Sequence, residues 1–277
     1  MLMKEHYGIS QWPDEKEIYE KMDRLVREPL HPIKPEAMQR YLRYFDEKCQ
    51  GSHAMIEEAK KVIPGGVQHN LAFNYPFPLV ITKAEGAYLY DIDGNRYVDY
   101  LQAGGPTLLG SNYEPVNRKV WEVVRESGPV TGLFHPYEMK LAEKIRECMP
   151  WVEMYRCLAS GTEADMVAIR IARTYTGKER IVKVGGAYHG WSDQLVYSLH
   201  IPYTKTFEAH GIPKDVSANT GEFFPGDVEG LRRVLEENEK HGGTAAVLIE
   251  PFGPESGTRP VALDFAAKVR ALCDEFN

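Results

Sequence analysis

The spacing of apolar residues predicts that the chain begins with helices. Between Asp14 and Glu28 the apolar residues Ile18, Met22, Leu25 and Val26 recur every three or four positions along a charged segment. This spacing is typical of a helix with one apolar face. Three prolines follow, and a second helical pattern covers residues 36–48. Residues 1–50 are therefore predicted to be a helical appendage that docks on the body of the protein or on a partner subunit.

Short strands follow, and their spacing predicts an antiparallel meander. Segments 80–84, 87–91 and 96–100 are rich in β-branched or aromatic residues. Asp93-Gly94-Asn95 separates the last two segments and favours a tight hairpin turn. We predict that residues 51–113 form a small-domain segment that contains this three-stranded meander.

From residue 114 onward, helical patterns alternate with short apolar runs. The predicted helices are 114–126, 137–148, 162–174, 228–240 and 264–275, and the predicted strands are Met154–Leu158, Ile181–Val184 and Ala245–Glu250. This alternation predicts an α/β fold with a mostly parallel sheet flanked by helices. Ligands of such sheets bind beyond the carboxyl ends of the strands, where Ser160, Tyr188 and Glu250 are expected. Residues 202–225 lack periodicity and are predicted to be a long loop.

Composition and charge narrow the classes of function. The 277 residues are 43% hydrophobic, and the net charge of −7 argues against a nucleic-acid or anionic membrane surface. The four cysteines are far apart and form no Cys-x-x-Cys pair, which is typical of reduced thiols in a cytoplasmic protein. No apolar stretch approaches the length of a membrane span. We expect a cytoplasmic protein without a metal site.

Ser160-Gly161-Thr162 is the first candidate for a functional site. It stands where an apolar run meets a helical pattern, so its hydroxyl and backbone N–H groups would lie at a helix N-terminus. Such an end binds phosphate, although ordinary helix capping uses the same residues. A nucleotide-binding protein is the less favoured alternative, because no Gly-x-Gly-x-x-Gly or Gly-x-x-x-x-Gly-Lys-Ser/Thr motif occurs at the strand–helix turns.

Five ordered motifs carry a resemblance to a known family. They are Pro64-Gly65-Gly66-Val67, the segment 90–99, Ala159-Ser160-Gly161-Thr162-Glu163-Ala164, Ala187-Tyr188-His189-Gly190 and Ile249-Glu250-Pro251. Together they resemble the class III aminotransferases of fold type I, and most closely the branch that contains glutamate-1-semialdehyde aminomutase. The resemblance covers residues from about 51 to 277 and implies pyridoxal 5′-phosphate as the cofactor.

The resemblance also implies roles for individual residues. Ser160-Gly161-Thr162 would hold the cofactor phosphate, and Tyr188 would stack on the pyridine ring. His189 would line the site, with a purely structural role as the alternative. Glu250 would lie near the cofactor ring rather than at a surface strand end. Gly105 follows the meander, in a turn that would bring backbone close to the substrate, although any tight turn uses glycine.

Two departures from the family pattern bear on the substrate. Ala159 stands where the family usually has Asn, which removes one possible polar contact. Segment 68–73 lacks the Arg with which the aminomutase branch holds its substrate carboxylate, and His69 could substitute only weakly. This argues against glutamate-1-semialdehyde as the substrate.

The residues that complete the chemistry in relatives have no counterpart in this chain. The resemblance implies an aspartate for the pyridine nitrogen and a Schiff-base lysine, both further along the sequence. Lys178, Lys183 and Lys205 do not match the context of that lysine, so we assign no catalytic residue. We expect the chain to be the N-terminal part of a longer enzyme or one chain of a split one. Residues 114–277 would then be an incomplete large domain that binds the cofactor.

The function implied is transfer of an amino group between an amino acid or amine and a keto acid, in a homodimer. Two alternatives use the same scaffold: an aminomutase and an amino-acid epimerase. A third is a non-catalytic homologue or partner chain that keeps the fold and lacks the lysine.

Overall fold

The computed structural model describes residues 14–128, 132–196, 198–204 and 210–277. The chain divides into two compact units, Leu30–Lys140 and Leu141–Asn277, the latter together with the N-terminal residues up to Pro29. Helix α1 (Glu15–Arg27) belongs to that second unit and is capped by Asp14, whose side chain accepts from the amides of Lys16 and Glu17. The two units meet at Pro29/Leu30 and at Lys140/Leu141, whereas the divisions predicted from the sequence come after residues 50 and 113.

The unit Leu30–Lys140 joins helices to the predicted meander. Its elements are α2 (Pro35–Lys48), α3 (Gln50–Ala59), β1 (Ile81–Glu85), β2 (Tyr88–Asp91), β3 (Arg96–Val98), α4 (Glu114–Ser127) and the start of α5 (Pro136–Cys148). Antiparallel pairing in the order β1-β2-β3 confirms the meander. Asp93 in its hairpin accepts hydrogen bonds from the amides of Gly51 (2.6 Å) and Ser52 (2.9 Å) and so caps α3, a helix that the sequence pattern did not predict.

The second unit contains a parallel sheet with helices on both faces. Its strands are β4 (Arg180–Val184), β5 (Thr220–Phe223) and β6 (Thr244–Leu248). Besides α1 and the rest of α5, its helices are α6 (Gly161–Thr176), α7 (Lys214–Ala218), α8 (Val228–Glu239), α9 (Pro254–Gly257) and α10 (Phe265–Glu275). The strands pair in the order β5-β4-β6. Val182 and Val184 pack on α8 and α10, whereas Ile181 packs on Ile169 of α6. This confirms the predicted α/β fold.

Two sequence predictions in this unit are wrong. Met154–Leu158 is not a strand: it forms no ladder within the described residues, and Met154 is 92% exposed. Conversely, β5 lies inside the segment predicted to be a loop. Its sequence, Thr-Gly-Glu-Phe, has no apolar run, so only its pairing with β4 makes it a strand. Residues 205–209 of the predicted loop lie outside the described residues.

No helix in the described ranges is both long and apolar enough to cross a lipid bilayer.

Candidate functional site

Six of the seven predicted site residues belong to the second unit, at the carboxyl edge of its sheet. Tyr188 and His189 follow the end of β4, and Glu250 follows the end of β6. Lys183 is paired with Leu248, so Glu250 stands level with Gly185 just beyond β4. Helix α6 leads into β4 through a three-residue turn, which places the N-terminus of α6 at this same edge.

Gly190 brings two of the motifs into direct contact. A Cβ added to Gly190 would lie 2.5 Å from Oγ1 and 2.8 Å from Cα of Thr162, and Gly190 has a φ of +87°. Both the close approach and the left-handed backbone require glycine. The segment that carries Tyr188 and His189 is therefore held against the first turn of α6.

The N-terminus of α6 is capped by Ser160. Its Oγ accepts from the amide of Glu163 (3.2 Å) and donates to Oε2 of Glu163 (3.1 Å), so the carboxylate of Glu163 also fixes the capping hydroxyl. The amides of Gly161 and Thr162 lie in the first turn, where a helix offers no internal acceptor, and they carry the positive end of the helix dipole. An anion at this end would meet these two amides and the Thr162 hydroxyl, whereas Ser160 already serves as a cap.

Tyr188 and His189 differ sharply in exposure. Tyr188 is 54% exposed, so its ring is accessible. His189 is 9% exposed, and within the described residues its buried Nε2 has no hydrogen-bond partner. Burial, aided by the nearby Lys183 ammonium, lowers the pKa of His189 from 6.5 to about 4. A neutral imidazole with an unsatisfied nitrogen, held beside a helix N-terminus, is suited to form one hydrogen bond with a ligand, either as donor or as acceptor.

Glu250 belongs to a small polar group that the sequence did not reveal. Its Oε1 accepts from the amide of Glu255 (3.2 Å), and Oε1 of Glu255 lies 2.5 Å from Nδ1 of His200. Glu255 has a φ of +54°, outside the range that side chains favour. No sequence signal links these residues, because His200 lies in an irregular segment 55 positions before Glu255.

Two of the three lysines considered above lie among the described residues, and both donate hydrogen bonds to backbone carbonyls. Lys183 is fully buried and donates to the carbonyls of Ala187 and Leu195. Lys178 precedes β4, at the opposite edge of the sheet, and donates to the carbonyls of Phe276 and Asn277. Lys205 lies outside the described residues.

Gly105 is the remaining predicted residue, and it belongs to the unit Leu30–Lys140. It has a φ of +117°, and no described atom lies within 4 Å of a Cβ built on it. Its backbone therefore requires glycine for conformation rather than for space. Its role toward a substrate stays a prediction.

The second unit defines a class of protein: an α/β protein whose parallel sheet has, at its carboxyl edge, a helix N-terminus, an accessible tyrosine ring and a buried neutral imidazole. That combination suits a cofactor that has both a phosphate and an aromatic ring. The sequence profile described as Aminotransferase class-III matches residues 71–277. The chain belongs to this family.

Individual relatives are similar over much of the chain. The glutamate-1-semialdehyde 2,1-aminomutase of Campylobacter hominis is 36% identical over 230 residues, covering 81% of this chain and 50% of that protein. The enzyme of the same name from Chlorobium limicola is 37% identical over 234 residues, covering 81% and 53%. The chain thus spans about half the length of the curated relatives it matches.

Solved structures share the fold. An omega-transaminase from Sphaerobacter thermophilus superposes with a TM-score of 0.75 and 28% identity, covering 84% of this chain and 54% of that one. The β-phenylalanine aminotransferase of Variovorax paradoxus gives 0.73 and 27%, covering 86% and 52%. A further neighbour is a transaminase with PLP bound. The family and these neighbours indicate pyridoxal 5′-phosphate as the cofactor, and the residues at the carboxyl edge fit it.

Proposed function

We propose that this chain supplies the phosphate- and ring-binding part of a pyridoxal-phosphate site in an aminotransferase. The enzyme would move an amino group between an amino acid or amine and a keto acid. The contact of Gly190 with Thr162 is the observation that supports this most, because it joins the tyrosine–histidine segment to the helix end. Two motifs far apart in sequence thereby face one ligand.

Each residue has a separable task in this proposal. Pyridoxal phosphate, when bound, would withdraw electrons from the carbon that carries the amino group. The amides of Gly161 and Thr162, with the Thr162 hydroxyl, would bind the phosphate. Tyr188 would cover one face of the ring and exclude water from it. His189, neutral and buried, would form a hydrogen bond with the ligand through its unsatisfied Nε2.

Ser160 and Glu250 have weaker support as cofactor residues. Ser160 would contribute by fixing the first turn of α6, and by its hydroxyl only after the contact with Glu163 is exchanged. Glu250 would act near the ring from its place beyond β6, where Glu255 already bonds to it. Gly105 would approach the substrate with its backbone.

A glutamate-1-semialdehyde-type aminomutase is the second candidate, because the relatives in Campylobacter and Chlorobium bear that name. The absence of Arg from segment 68–73 weighs against it. Consumption of an added keto acid in a one-to-one ratio with amino donor would support the aminotransferase. Turnover of a single substrate without a keto acid would instead support the mutase or an epimerase. No turnover despite cofactor binding would support the non-catalytic homologue or partner chain.

The proposed assembly is a cytoplasmic homodimer, completed by a C-terminal part in the same or a separate chain. All four cysteines are free thiols, which suits a reducing compartment. Exposed apolar side chains on α4 and before α5 include Val120, Leu133 and Phe134, and these line an open cavity of about 760 Å³. A surface of this kind suits contact with a second copy of the chain.

Binding of pyridoxamine 5′-phosphate tests the cofactor site. This form has an amine in place of the aldehyde, so it cannot react with surface lysines, and its binding reports non-covalent contacts only. We expect saturable binding by fluorescence, competition by inorganic phosphate, and much weaker binding of pyridoxamine, which lacks the phosphate. Equal binding of the two pyridoxamine forms would contradict a phosphate site.

Thr162→Val, with Thr174→Val as its control, locates that site. Both threonines lie on α6, but Thr174 bonds through Oγ1 to the carbonyl of Arg170, away from the helix N-terminus. We expect Thr162→Val to weaken pyridoxamine-phosphate binding roughly tenfold, the loss of one hydrogen bond to a charged group. The control variant should bind as the unsubstituted protein does. Equal effects of the two substitutions would place the ligand elsewhere.

A further inference from the structure

Lys183 lies between two buried valines in the central strand of the parallel sheet. The strand reads Arg-Ile-Val-Lys-Val, and the Lys183 side chain is fully buried. Burial of a lysine ammonium costs several kcal/mol unless it is hydrogen-bonded and paired. A residue retained at that cost needs a structural or functional reason, which its contacts provide.

The hydrogen bonds of Lys183 join the two ends of one loop. Its Nζ donates to the carbonyl of Ala187 (3.1 Å) and to the carbonyl of Leu195 (2.9 Å). Between these residues lie Tyr188, His189 and Gly190, which form the proposed ring-binding segment. One buried ammonium therefore closes the loop 187–195 at its base.

Opposite charge lies beside this ammonium. Glu222 on β5 is paired in register with Lys183, so the two side chains share one face of the sheet, and Glu222 is only 8% exposed. A Cβ added to Gly185 would lie 3.3 Å from Oε2 of Glu222, so that carboxylate lies close to the backbone two residues before the loop. A carboxylate and an ammonium on the same face of neighbouring strands offset part of each other's cost of burial.

We propose that Lys183 is a positioning residue of the cofactor site, which it serves by holding the loop 187–195 closed so that Tyr188 and His189 face the ligand at the α6 N-terminus. The inference rests on the proposed cofactor site, but it concerns a residue that touches neither cofactor nor substrate. Both of these hydrogen bonds of Lys183 go to the ends of the loop that carries the ring-binding segment, whereas the phosphate-binding amides belong to α6.

Lys183→Met is the variant that tests this, and Lys178→Met is its matched control. Lys178 also donates to two backbone carbonyls, at 2.9 Å each, but at the opposite edge of the sheet. In the ligand-free protein, we expect Lys183→Met to raise amide hydrogen exchange roughly tenfold in peptides covering 187–195. Peptides covering 181–184 should change far less, and Lys178→Met should leave both unchanged.

Ligand binding separates positioning from a general structural role. We expect Lys183→Met to weaken the binding of pyridoxamine 5′-phosphate roughly tenfold, the loss expected if the displaced loop no longer makes one hydrogen bond to the charged ligand. The concentration at which inorganic phosphate competes should change less than twofold. Equal weakening of both ligands, opening of strand and loop together, or no change in either measurement would overturn the proposal.

A double variant keeps the test decisive if Lys183→Met alone unfolds. Lys183→Met with Glu222→Gln removes both buried charges, so no uncompensated carboxylate remains. We expect the double variant to show the same selective rise in amide hydrogen exchange in peptides covering 187–195. A folded double variant without this rise would refute the role of Lys183. Failure of the unsubstituted protein to bind pyridoxamine 5′-phosphate would instead refute the proposed function, while exchange would still decide whether Lys183 holds the loop.

Discussion

At the scale of single residues, His189 and Lys183 together determine the electrostatics of the proposed site. His189 is buried with an unsatisfied Nε2, and the charge of Lys183 adds to the burial that keeps its imidazole neutral. A neutral imidazole adds no positive charge, so the positive potential of the site comes from the helix end and from Lys183. The same burial makes the stability of the protein depend on pH.

We predict that protonation of His189 opposes folding. Its pKa is lowered from 6.5 to about 4, so the unfolded chain binds the proton more readily than the folded one does. The stability that depends on neutral His189 is fully present above about pH 6.5 and is lost as pH falls toward 4. Urea unfolding should show a loss of about 2–3 kcal/mol from this group between pH 7.5 and 4.5.

His189→Gln isolates this effect, because glutamine does not titrate in that range while the carboxylates of the protein remain. The difference in unfolding free energy between variant and unsubstituted protein should narrow as pH falls. A difference that stays constant from pH 7.5 to 4.5 would contradict the lowered pKa.

At the scale of elements, side-chain caps connect segments that are distant in sequence. Asp93 belongs to the hairpin between β2 and β3, yet it caps α3 through the amides of Gly51 and Ser52 and the hydroxyl of Ser52. Asp91 fixes that hairpin by accepting from the amides of Asp93 and Asn95. The position of α3 therefore depends on the hairpin rather than on a cap next to it in the sequence.

Asp93→Ala should destabilise the unit Leu30–Lys140. It removes a carboxylate that caps a helix, for which a loss of about 1–2 kcal/mol is typical. Glu58→Ala, on the same helix, removes only an exposed ion pair with Lys61 and should cost less than about 0.5 kcal/mol. Chemical denaturation followed by circular dichroism measures both, and equal losses would show that the cap contributes nothing particular.

At the scale of the whole molecule, the chain has two compact units, matches its family over residues 71–277, and spans about half the length of the curated relatives it matches. Large apolar side chains remain exposed in the unit Leu30–Lys140, among them Leu133 at 80% and Phe134 at 73%. Exposed side chains of this size, next to an apolar cavity, are typical of surfaces that other protein covers.

Phe134→Glu tests the proposed dimer. A charge in a buried interface would be costly, so the variant should raise the dissociation constant of the dimer at least tenfold, as measured by sedimentation equilibrium. Val62→Glu introduces the same charge at an exposed position that is not among the described residues lining this cavity, and it serves as the control. A protein that is monomeric at all concentrations, or equal shifts in both variants, would contradict self-association through this surface.

Local pattern determined much of this protein. The periodicity of apolar residues predicted α1, α2 and α4 nearly to their ends, because the apolar residues of a helix that packs on one face recur with the 3.6-residue period of the helix. Asp93-Gly94-Asn95 predicted the hairpin, and the order of five motifs led to the family. Met154–Leu158 shows the limit of such reasoning, because an apolar run becomes a strand only where a partner strand bonds to it.

Only the tertiary structure decided which residues meet. The strand β5, the contact of Gly190 with Thr162, the burial of His189 and the bonds from Lys183 to the loop all depend on segments brought together by the sheet. Sequence determines which groups are present and which local structure each segment favours. Distance, burial and charge environment arise only when the chain is folded, and these are the properties on which the proposed site depends.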